Sequence, residues 1–218
     1  MKTFAIVPVK RFDSAKSRLG MLLNKYERGQ LSKFLVQRTI RVLKGASGVK
    51  KIVLVSSDVN VEKIAHLHGA TFLKEKIQCG VNSAVDKGTR FCTDSGAEAT
   101  LVLPADLPLV ISEDIDIVCK AARTVRDCIV LCPSYKFDGS NIMLRKPCDI
   151  IKTSYDSCSY LTHVLEGVRN NIKTRVLFIR RAMIDIDTNQ DITTLLTLDE
   201  TDELITDYLK TSLARRGL

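Results

Sequence analysis

Tryptophan is absent from this 218-residue chain, aromatic residues make up only 6% of it, and no basic run is interleaved with aromatics. That composition speaks against the stacking surface of a protein built to hold single-stranded nucleic acid. No apolar stretch approaches the ~20 residues that cross a bilayer. The opening MKTFAIVPVKRF has a short apolar run, then proline and charge. It predicts neither a signal peptide nor an anchor, and a cytoplasmic protein is the expectation. The 7 cysteines are odd in number and form no Cys-x-x-Cys pair, which speaks against a disulfide framework or a zinc site. Cys128 and Cys132 sit in an apolar segment, as small core residues would. A Walker loop, a dinucleotide fingerprint and a Gly-x-Ser-x-Gly elbow are all missing. What the chain does have is positive charge: 33 Lys and Arg against 25 Asp and Glu give a net +8. An anionic partner follows, of a kind that charge alone does not specify.

Hydrophobic patterning supplies the architecture. Continuously apolar segments at 3–9, 51–56, 70–73, 99–104, 128–133 and 175–179 read as strands. Between them, 25–44, 61–68, 81–92, 112–123 and 159–170 read as helices, and 189–213 as one or two more. Gly45, Gly48 and Gly69 mark stops, Ser112 is expected to cap the fourth helix, and Ser157 or Ser159 the fifth. Buried strands alternating with amphipathic helices make an α/β protein with a mostly parallel (mixed) sheet covered on both faces. No repeat or linker divides the chain, so residues 1–218 form one domain. In such sheets ligands bind beyond the carboxyl ends of the strands, and the informative residues should follow strands.

They do. After the first strand come Lys10, Arg11, Lys16 and Arg18, with Ser14, Ala15, Ser17 and Gly20 between them. Small residues let backbone N–H groups approach an anion, and the cations neutralise it; the plainer alternative is a solvated basic loop. In LVLPADLPLV, Asp106 stands between Pro104 and Pro108 at a strand end, a rigid place for a carboxylate that binds a divalent cation or, equally, for a turn aspartate. In MIDIDTNQDI, Asp185 and Asp187 alternate on an extended segment and point to one side, with Thr188 or Asn189 able to cap the next helix. FDGSNIML (137–144) reads as a turn with small polar residues. His163 lies one turn into the helix at 159–170, where a structural histidine is the commoner case. Asn82 opens a helix, either reading a base or ribose edge through its amide or serving as an N-cap.

The segments IVPVKRFDSAKSRL, PADLPL, GSN, SYLTH and DIDT, in this order over residues 3–195, resemble the 2-phospho-L-lactate guanylyltransferase family. It comprises archaeal enzymes of deazaflavin coenzyme biosynthesis, with bacterial counterparts that use phosphoenolpyruvate. The first and second segments are the most specific; DIDT is shared with many nucleotidyltransferases. The resemblance implies a Rossmann-like, three-layer nucleotidyltransferase fold with residues 134–170 as the acceptor-side lobe. It places Pro8, Lys10, Lys16, Arg18, Asn82, Pro104 and Ala105 at the nucleotide, the cations on the triphosphate of GTP. Lys16, Arg18 and Asp106 would be catalytic. Asp106, with Asp187 or Asp185, would hold Mg²⁺. Ser140, Asn141, Ser159 and His163 would meet the acceptor, a small phosphorylated three-carbon acid, Ser140 standing where the bacterial branch has a threonine. That branch also has a glycine-rich run before the serine of the helix start; here the run is YDSCS. Asp156 or Ser157 therefore stands where backbone contacts alone are expected, and an acidic group there disfavours an anion.

The closing segment, with Leu195, Leu196, Leu198, Leu204, Ile205 and Leu209, is apolar enough to pack on the core or on a second copy, and a homodimer is the expectation. A different nucleotidyltransferase, acting on a sugar phosphate or molybdopterin, is the first alternative. A non-catalytic nucleotide- or RNA-binding protein is the second, opposed by carboxylates that would repel nucleic acid.

Overall fold

The computed structural model describes residues 1–77, 79–156, 158–198 and 202–216. Its centre is a seven-stranded sheet in the order β3-β2-β1-β4-β6-β5-β7. The strands are β1 (Thr3–Pro8), β2 (Val49–Ser56), β3 (Thr71–Lys74), β4 (Ala99–Val102), β5 (Cys128–Pro133), β6 (Ser140–Lys146) and β7 (Lys173–Val176). Alternation along β1 divides the core. Ala5 and Val7 face one layer with Val36, Ile40 and Leu43 of α1 (Lys25–Gly45) and Val118 of α4 (Ser112–Arg123). Phe4 and Ile6 face the other, against Ala84 and Cys92 of α3 (Val81–Asp94). Under β4–β6, Val102, Ile129 and Met143 form a further patch that Val164 of α5 (Ser159–Arg169) covers. α2 (Val59–Leu67) follows β2 and is capped by Asp58, whose other oxygen accepts the Phe12 N–H and so pins the loop after β1.

All pairings are parallel except those of β6, which runs against β4 and β5. No strand is expected at 140–146 from the sequence, because Gly139 and Ser140 disguise its start and only Ile142–Leu144 are continuously apolar. The turn is nonetheless real. Ser134 and Gly139 exchange hydrogen bonds across it, and the Ser134 hydroxyl donates to Asp138. The hairpin has a functional consequence. Because β6 is antiparallel, its first residue lies at the same sheet edge as the last residue of β4.

Two expected caps are misplaced. Ser112 is the first helical residue of α4, preceded by Ile111, and its hydroxyl donates to the Val42 carbonyl of α1. Asp114, fully buried, satisfies the Ile111 N–H instead and takes a two-pronged hydrogen bond from Arg181. Ser159 is likewise inside α5, which Cys158 precedes in a left-handed conformation, φ 41°. Ser157 lies outside the described residues. β7 begins and ends earlier than the apolar run at 175–179 suggests, and a single turn, α6 (Arg180–Met183), follows it.

The closing segment is two helices, α7 (Asn189–Leu196) and α8 (Glu203–Ala214). Leu195, Ile205 and Leu209 are buried with Leu19, Leu23, Leu31 and Leu35, so they pack on the outer side of α1 within the chain itself. Cys128 and Cys132 are fully buried, and the described cysteines are all free thiols, as expected. Among the described residues no helix is long and apolar enough to cross a membrane.

Candidate active site

Strand order reverses at β1: β2 lies on one side of it and β4 on the other. A cleft opens at this switch point, beyond the carboxyl ends of both strands. Its volume is about 290 Å³, and three segments supply much of its polar lining. Pro8, Lys10 and Lys16 follow β1; Pro104, Ala105 and Asp106 follow β4; and Gly139, Ser140 and Asn141 open β6. A larger groove of about 710 Å³ lies between α1 and α2, lined by Phe12, Tyr26 and Lys63 among others. It holds none of the grouped carboxylates or hydroxyls of the smaller cleft.

Lys16 is the centre of the charged wall. Its ammonium lies 3.0 Å from Asp106 Oδ2 and 3.0 Å from Asp187 Oδ1. Its backbone is left-handed, φ 54°, an uncommon state for a non-glycine residue. Burial opposes the charge, but the two carboxylates outweigh it and hold the Lys16 pKa above the ordinary lysine value. Asp187 reaches this point because the 184–188 segment runs beside the Asp106 loop, the Ile186 N–H donating to the Asp106 carbonyl. Ile186 is fully buried in the opposite direction. The alternation read from the sequence therefore holds, and Asp185 joins Asp187 in the cleft lining. Burial, reinforced by the negative charges of Asp106 and Asp187, pushes the Asp185 carboxyl up to about 6. Thr188 caps α7 in a reciprocal arrangement with Asp191, as expected.

Two carboxylates thus share one buried ammonium, and a third, Asp185, lines the same cleft. The donors are all hard oxygens, and the surplus of negative charge is what a divalent cation balances. Among the described residues no three His, Cys, Asp or Glu side chains converge into a finished cation cage. Asp106, Asp187 and Asp185 therefore fit a Mg²⁺ that takes one or two carboxylates and completes its shell with water and substrate phosphate.

The opposite wall is neutral. Ser140 is 4% exposed and His163 is fully buried. The Ser140 N–H donates to Ser159 Oγ at 2.8 Å, and Ser140 Oγ lies 2.9 Å from His163 Nδ1. The Ser154 N–H donates to His163 Nε2 at 2.9 Å, which makes Nε2 the acceptor and leaves the ring proton on Nδ1. Nδ1–H then donates to Ser140, whose own hydroxyl proton is free for the cleft. Burial, helped by the Arg145 charge, lowers the His163 pKa to about 4, so this tautomer persists at neutral pH. Asn141 is held by its Nδ2–H donating to the Ala182 carbonyl.

Two expected roles change. Asn82 is tied to the loop before α5: Oδ1 accepts the Tyr155 N–H at 2.8 Å and Nδ2 donates to Asp156 at 2.7 Å. Asn82 therefore braces that loop and does not line the cleft; nor is it the cap of α3, which is Gly80. The same bond turns the Asp156 carboxylate towards Asn82, so Asp156 is absent from the cleft lining. Arg18 is exposed on a short 3-10 turn, Ser17–Leu19, and does not line the cleft. Arg11 pairs with Asp13. Of the four cations in the opening stretch, Lys10 and Lys16 face the site. Tyr155, which sequence reasoning missed, lines it too, its ring edge-on to His163 at 5.2 Å.

Known proteins resemble this chain at two levels, sequence and fold. The chain is 33% identical over 195 residues to the phosphoenolpyruvate guanylyltransferase of Rubrobacter xylanophilus, covering 89% of this chain and 94% of that one. It is 27% identical over 192 residues to the 2-phospho-L-lactate guanylyltransferase of Methanothermobacter thermautotrophicus, covering 88% and 83%. In fold it matches a nucleotidyl transferase from Methanothermobacter with a TM-score of 0.66, at 10% identity and over 96% of this chain and 99% of that one. The model of the CofC-like guanylyl transferases matches residues 3–214, and the chain belongs to that family.

Proposed function

We propose that this enzyme transfers GMP from GTP to a small phosphorylated three-carbon acid, phosphoenolpyruvate or 2-phospho-L-lactate, and releases pyrophosphate. The observation that carries the reading is the pairing of two unlike walls in one cleft. Lys16 between Asp106 and Asp187 faces the buried Ser140–Ser159–His163 network. A phosphate oxygen of the acceptor attacks the α-phosphorus of GTP; a P–O bond forms to it and the bond to the β-phosphate bridge breaks. The nucleophile belongs to the substrate, which accounts for the lack of an activated serine or cysteine. Such a reaction needs alignment and charge neutralisation. Lys10 and Lys16 supply fixed positive charge, and Lys16 keeps a third N–H beyond its two carboxylate partners. Mg²⁺, held by Asp106 with Asp187 or Asp185, would neutralise phosphate oxygens when bound. The Ser140 hydroxyl and the start of α5 at Ser159 orient the acceptor's anionic groups.

The product would be a guanylylated acid of deazaflavin coenzyme biosynthesis. Magnesium dependence, a cytoplasmic location, a homodimer and the absence of any nucleic-acid partner go with this reading, although the closing leucines are spent inside the chain. The test is pyrophosphate release with Mg²⁺, crossing GTP, ATP, CTP and UTP with phosphoenolpyruvate, 2-phospholactate and a sugar phosphate. Release with GTP and a three-carbon acid is expected. Release with the sugar phosphate alone would refute the reading.

A further inference from the structure

Glu75 follows β3 and is 6% exposed, yet among the described residues no hydrogen bond or ion pair reaches its carboxylate. Lys87, the nearest influence of opposite sign, spends its ammonium on the Lys74 carbonyl. The side chain is largely covered, yet its oxygens are not among the fully enclosed polar atoms that lack a partner, so they keep an opening to their surroundings. Glu75 lies at the end of a shallow annexe of about 30 Å³ whose other walls include Pro8, Val9, Lys10, Val81 and Ala84. Pro8, Val9, Lys10 and Val81 also line the main cleft, so the annexe continues it. The annexe is too small for a whole ring system and takes the edge of one, with apolar side chains against its faces.

Position and chemistry agree on which edge. Lys16 and Asp106 mark the phosphate end, beside β4. Glu75 is fixed at the end of β3, its N–H donating to the Ser56 carbonyl at the end of β2. From β4 through β1 and β2 to β3 is three strand spacings, roughly 14 Å, which suits a nucleoside laid across the sheet edge with its base outermost. An ionised carboxylate only accepts hydrogen bonds. Guanine presents two adjacent donors, N1–H and the exocyclic amino group. Adenine and cytosine each set an acceptor beside their amino group, and uracil flanks its single N–H with carbonyls. We propose that Glu75 is the specificity residue that reads the guanine edge, in place of Asn82, which does not line the cleft. This assignment rests on the reading that the cleft takes GTP.

The test needs no acceptor. Binding of GDP, IDP and ADP to the whole chain is measured by calorimetry for the wild type and for Glu75→Gln and Glu75→Ala, each checked for folding by circular dichroism. IDP lacks only the exocyclic amino group. The wild type is expected to favour GDP over IDP by about 10- to 100-fold, the value of one hydrogen bond to a charged acceptor, and both variants to lose most of that ratio. A wild type that does not distinguish GDP from IDP overturns the assignment, as does a ratio that survives in a folded variant. A uniform loss of affinity for all three nucleotides with the ratio intact would place Glu75 at the ribose and also overturn it. Selective GDP binding without pyrophosphate release would instead defeat the transfer reaction and leave the assignment standing.

Discussion

The two walls of the cleft are held in place by opposite means. On the nucleotide side, Lys16, Asp106 and Asp187 are in direct ionic contact, drawn from segments far apart in the chain. On the acceptor side, Ser140, Ser159, His163 and Ser154 form an uncharged chain of hydrogen bonds, closed by a histidine kept neutral by burial. The difference suits the ligand proposed for each wall. A triphosphate brings several negative charges, and a wall of mixed charge can exchange internal partners for phosphate and metal. The acceptor is small and must be aligned, and a rigid neutral donor does that without competing for the metal.

The comparison breaks most sharply at Asp106. Asp106→Asn keeps the shape but removes a carboxylate from both the Lys16 contact and the proposed Mg²⁺ ligands. A fall in kcat of about 10²-fold or more is expected, as for other single groups that stabilise developing charge. Steady-state pyrophosphate release checks it, and a rate near wild type would remove Asp106 from the chemistry. Asn82→Ala sharpens the comparison instead. By sequence Asn82 belongs with the nucleotide, but its amide supports Tyr155 and Asp156. The KM for the three-carbon acid should rise several-fold while the KM for GTP stays put; the reverse split would return Asn82 to the nucleotide.

How much of this was legible in the sequence also divides along the cleft. The charged wall could be read because its residues sit immediately after apolar strands and their side chains are chemically loud: Lys16, Asp106 and the 185/187 alternation. The neutral wall was legible only by resemblance. β6 begins with serine and asparagine just after a glycine, which hides the strand, and the partners of Ser140 lie 19 and 23 residues away on α5. Ser112 and Ser159 look like helix caps because local pattern cannot tell an N-cap from a first-turn serine that bonds a neighbouring element. Arg18, placed at the nucleotide by resemblance, lies outside the cleft lining, because charge density in a loop does not say which cations turn inward.

Two buried titrating groups, one on each wall, give opposite pH signatures. His163 is lowered from 6.5 to about 4, so between these values the unfolded chain holds the extra proton and stability rises with pH. Asp185 is raised from 3.8 to about 6, so between these values the folded chain holds the extra proton and stability falls with pH. Each is worth at most about 1.4 kcal/mol per pH unit. Urea titrations between pH 4 and 6, with chelator present, should show Asp185→Asn making the slope of stability against pH more positive than wild type and His163→Asn making it more negative. Shifts of the same sign would contradict the environments assigned to the two walls.

The smallest effect concerns the loop that joins the walls. Cys158 has φ 41° and ψ 44° immediately before α5. This is a conformation that glycine adopts freely and a side chain adopts at a cost of roughly 1–2 kcal/mol. Cys158 is exposed, and its side chain contributes no core packing. Cys158→Gly relieves the strain but also frees the unfolded chain, which offsets part of the gain. A net stabilisation of about 0.5–1 kcal/mol is expected, read as a higher urea midpoint at unchanged m-value, with the acceptor KM unaltered because Ser140, Ser159 and His163 keep their bonds. A destabilised variant would mean that the thiol holds the loop through a contact of its own, and the neutral wall would then depend on more than its hydrogen-bonded chain.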